Sequence, residues 1–408
     1  MIKHYNTIIV GGGAAGFFTA IQIAQRHSKH KILILEKSPK VLEKVKISGG
    51  GRCNVTHACF EPKELVKFYP RGNQELLGPF NTFMCNNMIA WLEKNGVKTK
   101  VENDGRVFPV SNSSQTIIDC FLRLCKKYNI EIRTKLGLDS FVFEHNKYSV
   151  KANTHTFTSN QIVIATGSNR KLWNILENAG HTIAKPVPSL FTFKIKHALL
   201  QELPGLSVSM GKTKIKTRKR EETGPILITH KGLSGPGILK ISAWEAVYLA
   251  EVNYKFTLVV NWINEDYKTL LLHYKNLREK QPKTKFISLN NTYNLPKRLW
   301  KKIIVLCNLE NRNFAEAGNK HLESLAKMLT VCELPVDGKN TNKDEFVTCG
   351  GVVLDEVNFK TMESKKLPNL FFAGEVINVD ALTGGFNFQN AWTTAFVAAQ
   401  AICRVGDL

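Results

Sequence analysis

The chain has 408 residues, of which 43 % are hydrophobic and 22 % charged. That is room for roughly two or three domains with real cores, and it excludes a disordered, collagenous or disulfide-scaffold protein. The formal charge is +22, from 56 basic and 34 acidic residues, and only 13 of the cations are arginine. Lysine is a strongly hydrated point charge, so a solvated Lys-rich surface is the plainer account. A polyanion partner or an acidic small substrate is the sharper one. No apolar run approaches the roughly 20 residues of a membrane span. The first one, Ile8–Val10, leads straight into a glycine loop and reads as a strand, not as a secretory signal. Nine cysteines, none spaced C-x-x-C, read as reduced thiols of a cytoplasmic protein with no metal site.

Tyr5–Val10 is a short β-rich run. Gly11, Gly13 and Gly16 follow with the spacing G-x-G-x-x-G, then a helix over Phe17–Arg26, then a buried strand over Lys31–Leu35 that ends in Glu36. This strand–loop–helix–strand–acid order is the context that gives the glycine pattern meaning. Gly11 permits the tight turn, Gly13 lets backbone approach a pyrophosphate, and Gly16 lets helix and strand pack closely. The helix start supplies free N–H groups for phosphate. Glu36 accepts from a ribose 2′-OH and repels a 2′-phosphate, so an ADP moiety is expected.

Ile47–Asn54 reads ISGGGRCN. Three successive glycines make sense where backbone passes close to a ligand, and they also fit an ordinary flexible loop. Ile117–Lys127 has helical spacing. Glu131–Arg133, Phe141–Glu144, Tyr148–Ala152 and Gln161–Ala165 read as strands, the last running into Thr166-Gly167.

The composition shifts near residue 190. Between Leu190 and Glu345 there are 26 basic and 15 acidic residues, the denser basic part of the chain. Leu190–Ile195, Lys212–Arg218, Ile226–Thr229 and Tyr254–Val260 are strand-like, and Tyr267–Lys280 and Lys320–Thr330 helix-like. An inserted β-rich domain with a small helical subdomain is expected. Lys212, Lys214, Lys216, Arg218 and Arg220 alternate, which places them on one strand face, either as a solvated outer face or as a polyanion contact. No aromatic residue for base stacking interrupts them.

Nucleotide-binding character returns after residue 346 with VTCGGVV, the strand Leu370–Ala373, Gly374-Glu375, Asp380 and the helix start Gly384–Gln389. In the last helix Ala391, Ala395, Ala398 and Ile402 share a face. Glu375 offers a carboxylate for a ribityl hydroxyl. The last helix start presents N–H groups where a reduced isoalloxazine gathers negative charge. A nicotinamide dehydrogenase needs no such C-terminal half, and no second G-x-G-x-x-G marks a dedicated NAD(P)H site, so FAD is the expected ligand.

VGGGAAG, KISGGGRCN, GRVFP, THKGLSGP, VTCGGV and LFFAGEVINVDALTGGFNFQNAW together resemble the HI0933-like family of FAD-binding oxidoreductases, whose members are also described as aminoacetone-oxidase-like or bile-acid-reductase-like flavoproteins. The resemblance implies an α/β fold: a Rossmann-like FAD-binding domain in two segments (1–189 and 346–408), an inserted β-barrel-like domain (190–265), and a small helical subdomain (266–345) with room for a returning strand of the insert. It implies non-covalent FAD contacts from Gly11, Gly13, Ala14, Ala15, Gly16, Glu36 and Lys37. The loop Ser48, Gly49, Gly50, Gly51, Arg52, Cys53 and Asn54 joins them, with Thr166, Gly167, Gly374, Glu375 and Asp380. Gly385, Phe386, Asn387, Phe388 and Gln389 complete the set, and Leu136 falls near adenine. Two positions depart from the family pattern: Cys349 stands where relatives carry a small residue, and Thr393-Thr394-Ala395 where they often have Ser-Ser-Gly.

Arg52 and Asn54 are the first candidates for the flavin face, against a purely cofactor-binding or structural role. His230 in THKGLSGP is a candidate general acid or substrate anchor if that loop caps the flavin, and otherwise a loop residue. Arg106 is an anion anchor or a salt-bridge partner. The expected activity is hydride transfer between FAD and a small organic substrate, by reduction of an activated C=C bond or oxidation of a small amine or alcohol, with NAD(P)H as a transient donor. A flavin-dependent RNA-modifying enzyme and a non-catalytic flavin-bound polyanion-binding protein are the alternatives. Nucleic acid is the less favoured partner.

Overall fold

The computed structural model describes residues 2–340 and 347–405. Contacts divide the chain into two compact units, Met1–Val187 with Val347–Leu408, and Pro188–Phe346.

The first unit is built on a mixed sheet. From one edge its strands run Val357–Asn358, Glu363–Ser364, Leu370–Phe372, His155–Ile164, Lys3–Val10, Ile32–Leu35 and Glu131–Arg133. The last five are parallel. Leu138–Glu144 and Lys147–Ala152 extend His155–Ile164 as an antiparallel hairpin. The central strands are continuous apolar runs, buried from Ile8 to Val10, Ile32 to Leu35 and Ile162 to Ile164. Such runs suit parallel strands covered on both faces. The helix Ala14–Arg26 is buried over ten of its residues and packs along the last helix, Phe386–Val405. Ser114–Lys127 begins three residues before its apolar spacing does, because Ser113 caps it by accepting from the Gln115 N–H. A small antiparallel sheet of Thr56–His57, Arg106–Pro109 and Thr99–Val101 lies in the same unit. Its strands are too short to leave a period in the sequence.

The second unit is a closed six-stranded barrel, in the order Thr192–Ile195, Gly232–Ser234, Glu221–Thr229, Ser207–Ile215, Lys255–Asn261 and Cys332–Asn340. Cys332–Asn340 pairs with both Lys255–Asn261 and Thr192–Ile195 and so closes the ring after the helical excursion. Barrel residues such as Phe193, Ile226 and Leu258 share one apolar core with Trp262, Tyr274, Trp300 and Leu325 of the helical segment. Two helices, Pro236–Trp244 and Ala246–Glu251, occupy a stretch that reads as strand-like or loop. Gly235, at φ 93°, and Pro236, at the first turn, form the helix start.

The basic alternation does not survive as one strand face. Lys212 and Lys214 point outward beside buried Thr213 and Ile215, but the strand ends at Ile215 and the other cations lie in the turn that follows. Lys212 and Lys214 face Glu221 at 3.4 and 3.9 Å, Lys216 faces Glu333 at 2.7 Å, Arg218 faces Glu245 at 2.8 Å and Arg220 faces Glu222 at 2.8 Å. Each of the five faces a carboxylate, with Lys212 and Lys214 sharing Glu221. All nine cysteines are free thiols. Among the described residues no group of side chains could hold a metal ion, and no helix is long and apolar enough to cross a membrane.

One buried polar cluster fixes the edge of the first unit. His181 Nδ1 lies 3.0 Å from Glu356 Oε2, and its Nε2 lies 3.2 Å from Ser364 Oγ. The order Ser–His–Glu is that of a hydrolase triad, but the Ser364 oxygen already accepts from the Lys366 and Leu367 N–H groups at 3.0 Å each. His181 is fully buried, so the cluster is a structural clamp. Burial disfavours the Glu356 carboxylate, yet the Lys366 ammonium, Thr182 and His181 hold its pKa down at about 2. Burial also lowers the pKa of His181, against the pull of Glu356. Both shifts have one sign. The Glu356 contribution is complete above the ordinary value of 4.5 and is lost as pH falls toward 2, and the His181 contribution is lost as pH falls below 6.5. Thermal melts between pH 8 and pH 3 are expected to show falling stability on this account. Glu356→Gln is expected to flatten the acid limb and to cost about 1–3 kcal/mol at pH 7, because buried His181 and the Thr182 N–H lose a charged acceptor.

Candidate cofactor site

The carboxyl ends of adjacent parallel strands are where open α/β sheets bind ligands. Here Val10, Leu35, Ile164 and Phe372 end neighbouring strands, and each runs into a segment singled out from the sequence. Gly11 adopts φ 116°, and a Cβ there would lie 2.4 Å from the Ala165 carbonyl oxygen. A Cβ at Gly16 would lie 2.0 Å from the Gly11 oxygen. These contacts bring the first glycine loop against Ala165-Thr166 and the helix against the loop. Gly13 is different: its backbone is extended, and a Cβ would meet nothing within 4 Å. The helix that follows has no side-chain cap and no acidic residue in its first turn. The N–H groups of Ala14, Ala15 and Gly16 are therefore first-turn donors without an intrahelical partner, beside space that a side chain would fill. A pyrophosphate fits that cradle.

Glu36 is tied in place at both oxygens. Oε2 accepts from the Gly12 N–H at 2.8 Å, and Oε1 from the N–H and hydroxyl of Ser38 at 2.8 Å each. The Leu136 N–H donates to the Glu36 carbonyl at 2.8 Å, and Gly137 abuts Lys37, so Glu36, Lys37 and Leu136 do come together.

In the loop Ser48–Asn54, Gly49, Gly50 and Gly51 have φ of 57°, 67° and 83°. Three successive left-handed residues explain the triple glycine. Cys53 is buried, and burial pushes its thiol up to about 12, so it is inert. Arg52 donates to Glu102 Oε1 at 2.6 Å and lies 4.0 Å over the Phe108 ring. The Asn54 amide nitrogen faces the Thr56 and Val107 carbonyls at 2.9 and 3.2 Å, while its oxygen accepts from the Gly385 N–H at 3.0 Å. Asn54 thus joins this loop to the start of the last helix. Both side chains expected at the flavin face are engaged by protein partners.

Gly374 sits where both helices start. A Cβ there would lie 3.1 Å from Ala15 Cβ and 3.7 Å from Ala391 Cβ, and its N–H donates to Thr394 Oγ1 at 2.9 Å. Glu375 accepts from Lys44 Nζ at 2.8 Å and from the Thr348 N–H at 3.1 Å, next to Gly167. Asp380 is fully buried and held by both arms of the Arg71 guanidinium. Arg71 and Lys44 were invisible in the sequence, because their carboxylate partners lie hundreds of residues away.

At the last helix start the side chains of the expected ligand set also have protein partners. Gln389 is fully buried, accepting from Thr56 Oγ1 at 2.6 Å and donating to Thr393 Oγ1 at 3.0 Å. Thr393, one of the departures from the family pattern, thereby extends the chain of bonds to the Phe83 carbonyl at 2.9 Å. The Asn387 amide holds the Ala381 backbone through two 3.0 Å bonds. The Phe388 ring stacks on Trp392 at 5.5 Å. Phe386 stacks on Phe68 at 4.2 Å and lies 4.6 Å from the His57 ring. These side chains shape the helix start, which leaves backbone as what the segment offers a ligand. Cys349 lies near the Arg71–Asp380 pair; burial pushes its thiol up to about 11.

His230 is exposed in the turn between Glu221–Thr229 and Gly232–Ser234, in the second unit. Arg106 donates to Asp104 at 2.7 Å and to Glu102 at 3.1 Å, which is the salt-bridge arrangement. His57 escaped the sequence reading altogether. Its only local signal is its place three residues after Asn54.

A model of the HI0933-like protein Rossmann domain matches residues 5–401. The chain is similar to a ribosomal RNA dihydrouridine synthase of Escherichia coli strain K12, at 29 % identity over 98 % of each chain. It is also similar to a 3-dehydro-bile acid delta(4,6)-reductase of Clostridium scindens, at 24 % identity over 96 % of this chain and 98 % of that one. Among solved structures, a 3-ketosteroid delta1-dehydrogenase from Sterolibacterium denitrificans shares the fold with a TM-score of 0.52 and 12 % identity, over 99 % of this chain and 100 % of that one. The family match spans nearly the whole chain and takes in both the nucleotide cradle and the barrel between its halves, so the protein belongs to the HI0933-like family of FAD-binding oxidoreductases.

Proposed function

We propose that this enzyme reduces the C5=C6 bond of a uracil base in ribosomal RNA. The observation that carries the reading is the full-length likeness to a ribosomal RNA dihydrouridine synthase, on a chain of net charge +22. A cationic surface raises the local concentration of RNA whatever its sequence. The paired cations of the barrel turn contribute less to this than their number implies, because surface ion pairs leave a weaker field around them.

In this reading the N–H groups of Ala14, Ala15 and Gly16 hold the pyrophosphate of FAD, and Glu36 holds its adenosine ribose. Glu375, kept in place by Lys44 and Thr348, serves the ribityl chain. The Ser48–Asn54 loop and the backbone at Gly384-Gly385 border the flavin end. Bound FAD supplies the hydride chemistry, and the chain supplies position and electrostatics. NADH or NADPH is the proposed source of electrons.

A second reading keeps the chemistry and changes the substrate. Both relatives' names describe saturation of a C=C bond conjugated with a carbonyl, so a small enone is the competing acceptor. Purified protein with dithionite or NADPH and an unmodified ribosomal RNA transcript decides between them. A mass gain of two daltons on uridine after digestion is expected. Turnover of a 4-en-3-one steroid with no change in the RNA overturns the RNA reading. Anaerobic NADH or NADPH is expected to bleach the flavin absorbance, and no bleaching with either removes the proposed donor.

Two glycine variants test the cradle. Gly13→Val is expected to fold and to bind FAD at least about tenfold more weakly, roughly 1.4 kcal/mol, because its side chain enters the open space at the helix start. Gly16→Val is expected to destabilise the fold itself by several kcal/mol, because backbone already stands 2.0 Å from its Cβ. Flavin content and melting temperature measured on both variants separate the two effects.

A further inference from the structure

His57 bridges the start of the last helix and the turn at Gly105. Its Nδ1 lies 3.0 Å from the Gly384 carbonyl oxygen, just before the last helix. A carbonyl oxygen only accepts, so Nδ1 carries the proton and donates it. The ring face at Nε2 also lies against Gly105, where a Cβ would come within 2.5 Å of Nε2. Gly105 also adopts φ 83°, so both conformation and contact demand glycine there. Gly105 lies in the turn whose Glu102, Asn103, Asp104 and Arg106 line an open hollow of about 380 Å³. The ring itself is steadied by Phe386 at 4.6 Å and Phe68 at 5.9 Å.

This arrangement decides what His57 offers a ligand. Burial lowers its pKa, outweighing the Gly384 bond and Asp104, which favour protonation, and Arg106 lowers it further. The ring is therefore neutral near pH 7. With Nδ1–H spent on Gly384, Nε2 keeps a lone pair and is an acceptor. Among the described residues no hydrogen bond engages Nε2. Arg106 acts on His57 alongside the Asp104 carboxylate, and its guanidinium has N–H groups to spare beyond its bonds to Asp104 and Glu102. An acceptor with cationic donors nearby complements an imide edge, in which one N–H stands between two carbonyls. Uracil carries that edge beside its C5=C6 bond, and a steroid enone has no N–H at all.

We propose that His57 recognises the substrate by accepting a hydrogen bond at Nε2 from the imide N3–H of a uracil base. The assignment rests on the uracil reading above and gives it a chemical reason for preferring RNA to a small enone. Enzymes that act on a base read its Watson–Crick edge in this way. A site built to pair a substrate N–H rejects the analogue that lacks it far more strongly than an apolar pocket would.

The test uses the FAD-loaded enzyme labelled with ¹⁵N-histidine. At pH 7 the His57 ring is expected to show a protonated Nδ1 and an unprotonated Nε2, and uridine is expected to shift the Nε2 resonance while N3-methyluridine does not. In turnover, RNA bearing uridine is expected to react at least tenfold faster than RNA bearing N3-methyluridine at the same site. His57→Leu is expected to abolish that preference among the molecules that retain flavin, and His57→Gln, which keeps an acceptor, to restore part of it. An Nε2–H tautomer, or equal responses to the two nucleosides, overturns the assignment, and the resonance measurement stands even if His57→Leu fails to fold. Wild-type reduction of both RNAs at one rate sinks the role of His57 alone. Reduction of neither RNA by an enzyme that still turns over enones sinks the uracil reading with it.

Discussion

The close approach of backbone at Gly11, Gly16 and Gly374 is the constraint on which the first unit depends. Each stands where a Cβ would collide, with the Ala165 carbonyl, with the Gly11 carbonyl or with the side chain of Ala15. Together they let two helices from opposite ends of the chain begin at one place above the sheet. Ala15 and Ala391 are small for the same reason. The result is a cradle whose depth is set by absent side chains and whose floor is set by continuous apolar strands. A dinucleotide needs both, since its phosphates bind backbone N–H groups and its length spans several strand ends.

Polar side chains around the cradle do more holding than offering. Glu36 fastens the glycine loop through Gly12, Asn54 fastens the Ser48–Asn54 loop to Gly385, and Arg71 fastens Asp380. Gln389 and Asn387 are absorbed into the same framework. Glycine loops lose much conformational freedom on ordering, and these bonds keep them in place. A rigid, backbone-lined cradle costs little to organise when a ligand arrives, which is how preorganisation raises affinity.

The second unit follows a separate logic. Its barrel closes only when Cys332–Asn340 returns to pair with Thr192–Ile195, and its helical excursion packs on the same core. Barrel closure removes exposed strand edges, which suits a domain inserted between two halves of another. Its cations Lys212, Lys214, Lys216, Arg218 and Arg220 each face a carboxylate, the first two sharing Glu221. Net charge is a sum over the whole chain, and this largely paired stretch supplies little of it.

The β–α–β unit with Glu36, the triple glycine and the second glycine-rich helix start were legible in the primary structure, because each is local. Glycines that need positive φ, apolar runs that need burial and a helix N-terminus that needs anions leave their marks within a few residues. The Ser113 cap was local too, but it lies outside the apolar period and moved the helix start. What only tertiary structure decided are the pairings across long separations: Arg71 with Asp380, Lys44 with Glu375, Asn54 with Gly385, and His57 with Gly384 and Gly105. A residue type announces that it can donate or accept, but which partner consumes that capacity depends on where the fold brings the chain back. For this reason Arg52, Asn54 and Gln389 read as ligands in the sequence, which could not show the protein partners the fold also gives them, and His57, unremarked in the sequence, is brought to Gly384 by the fold alone.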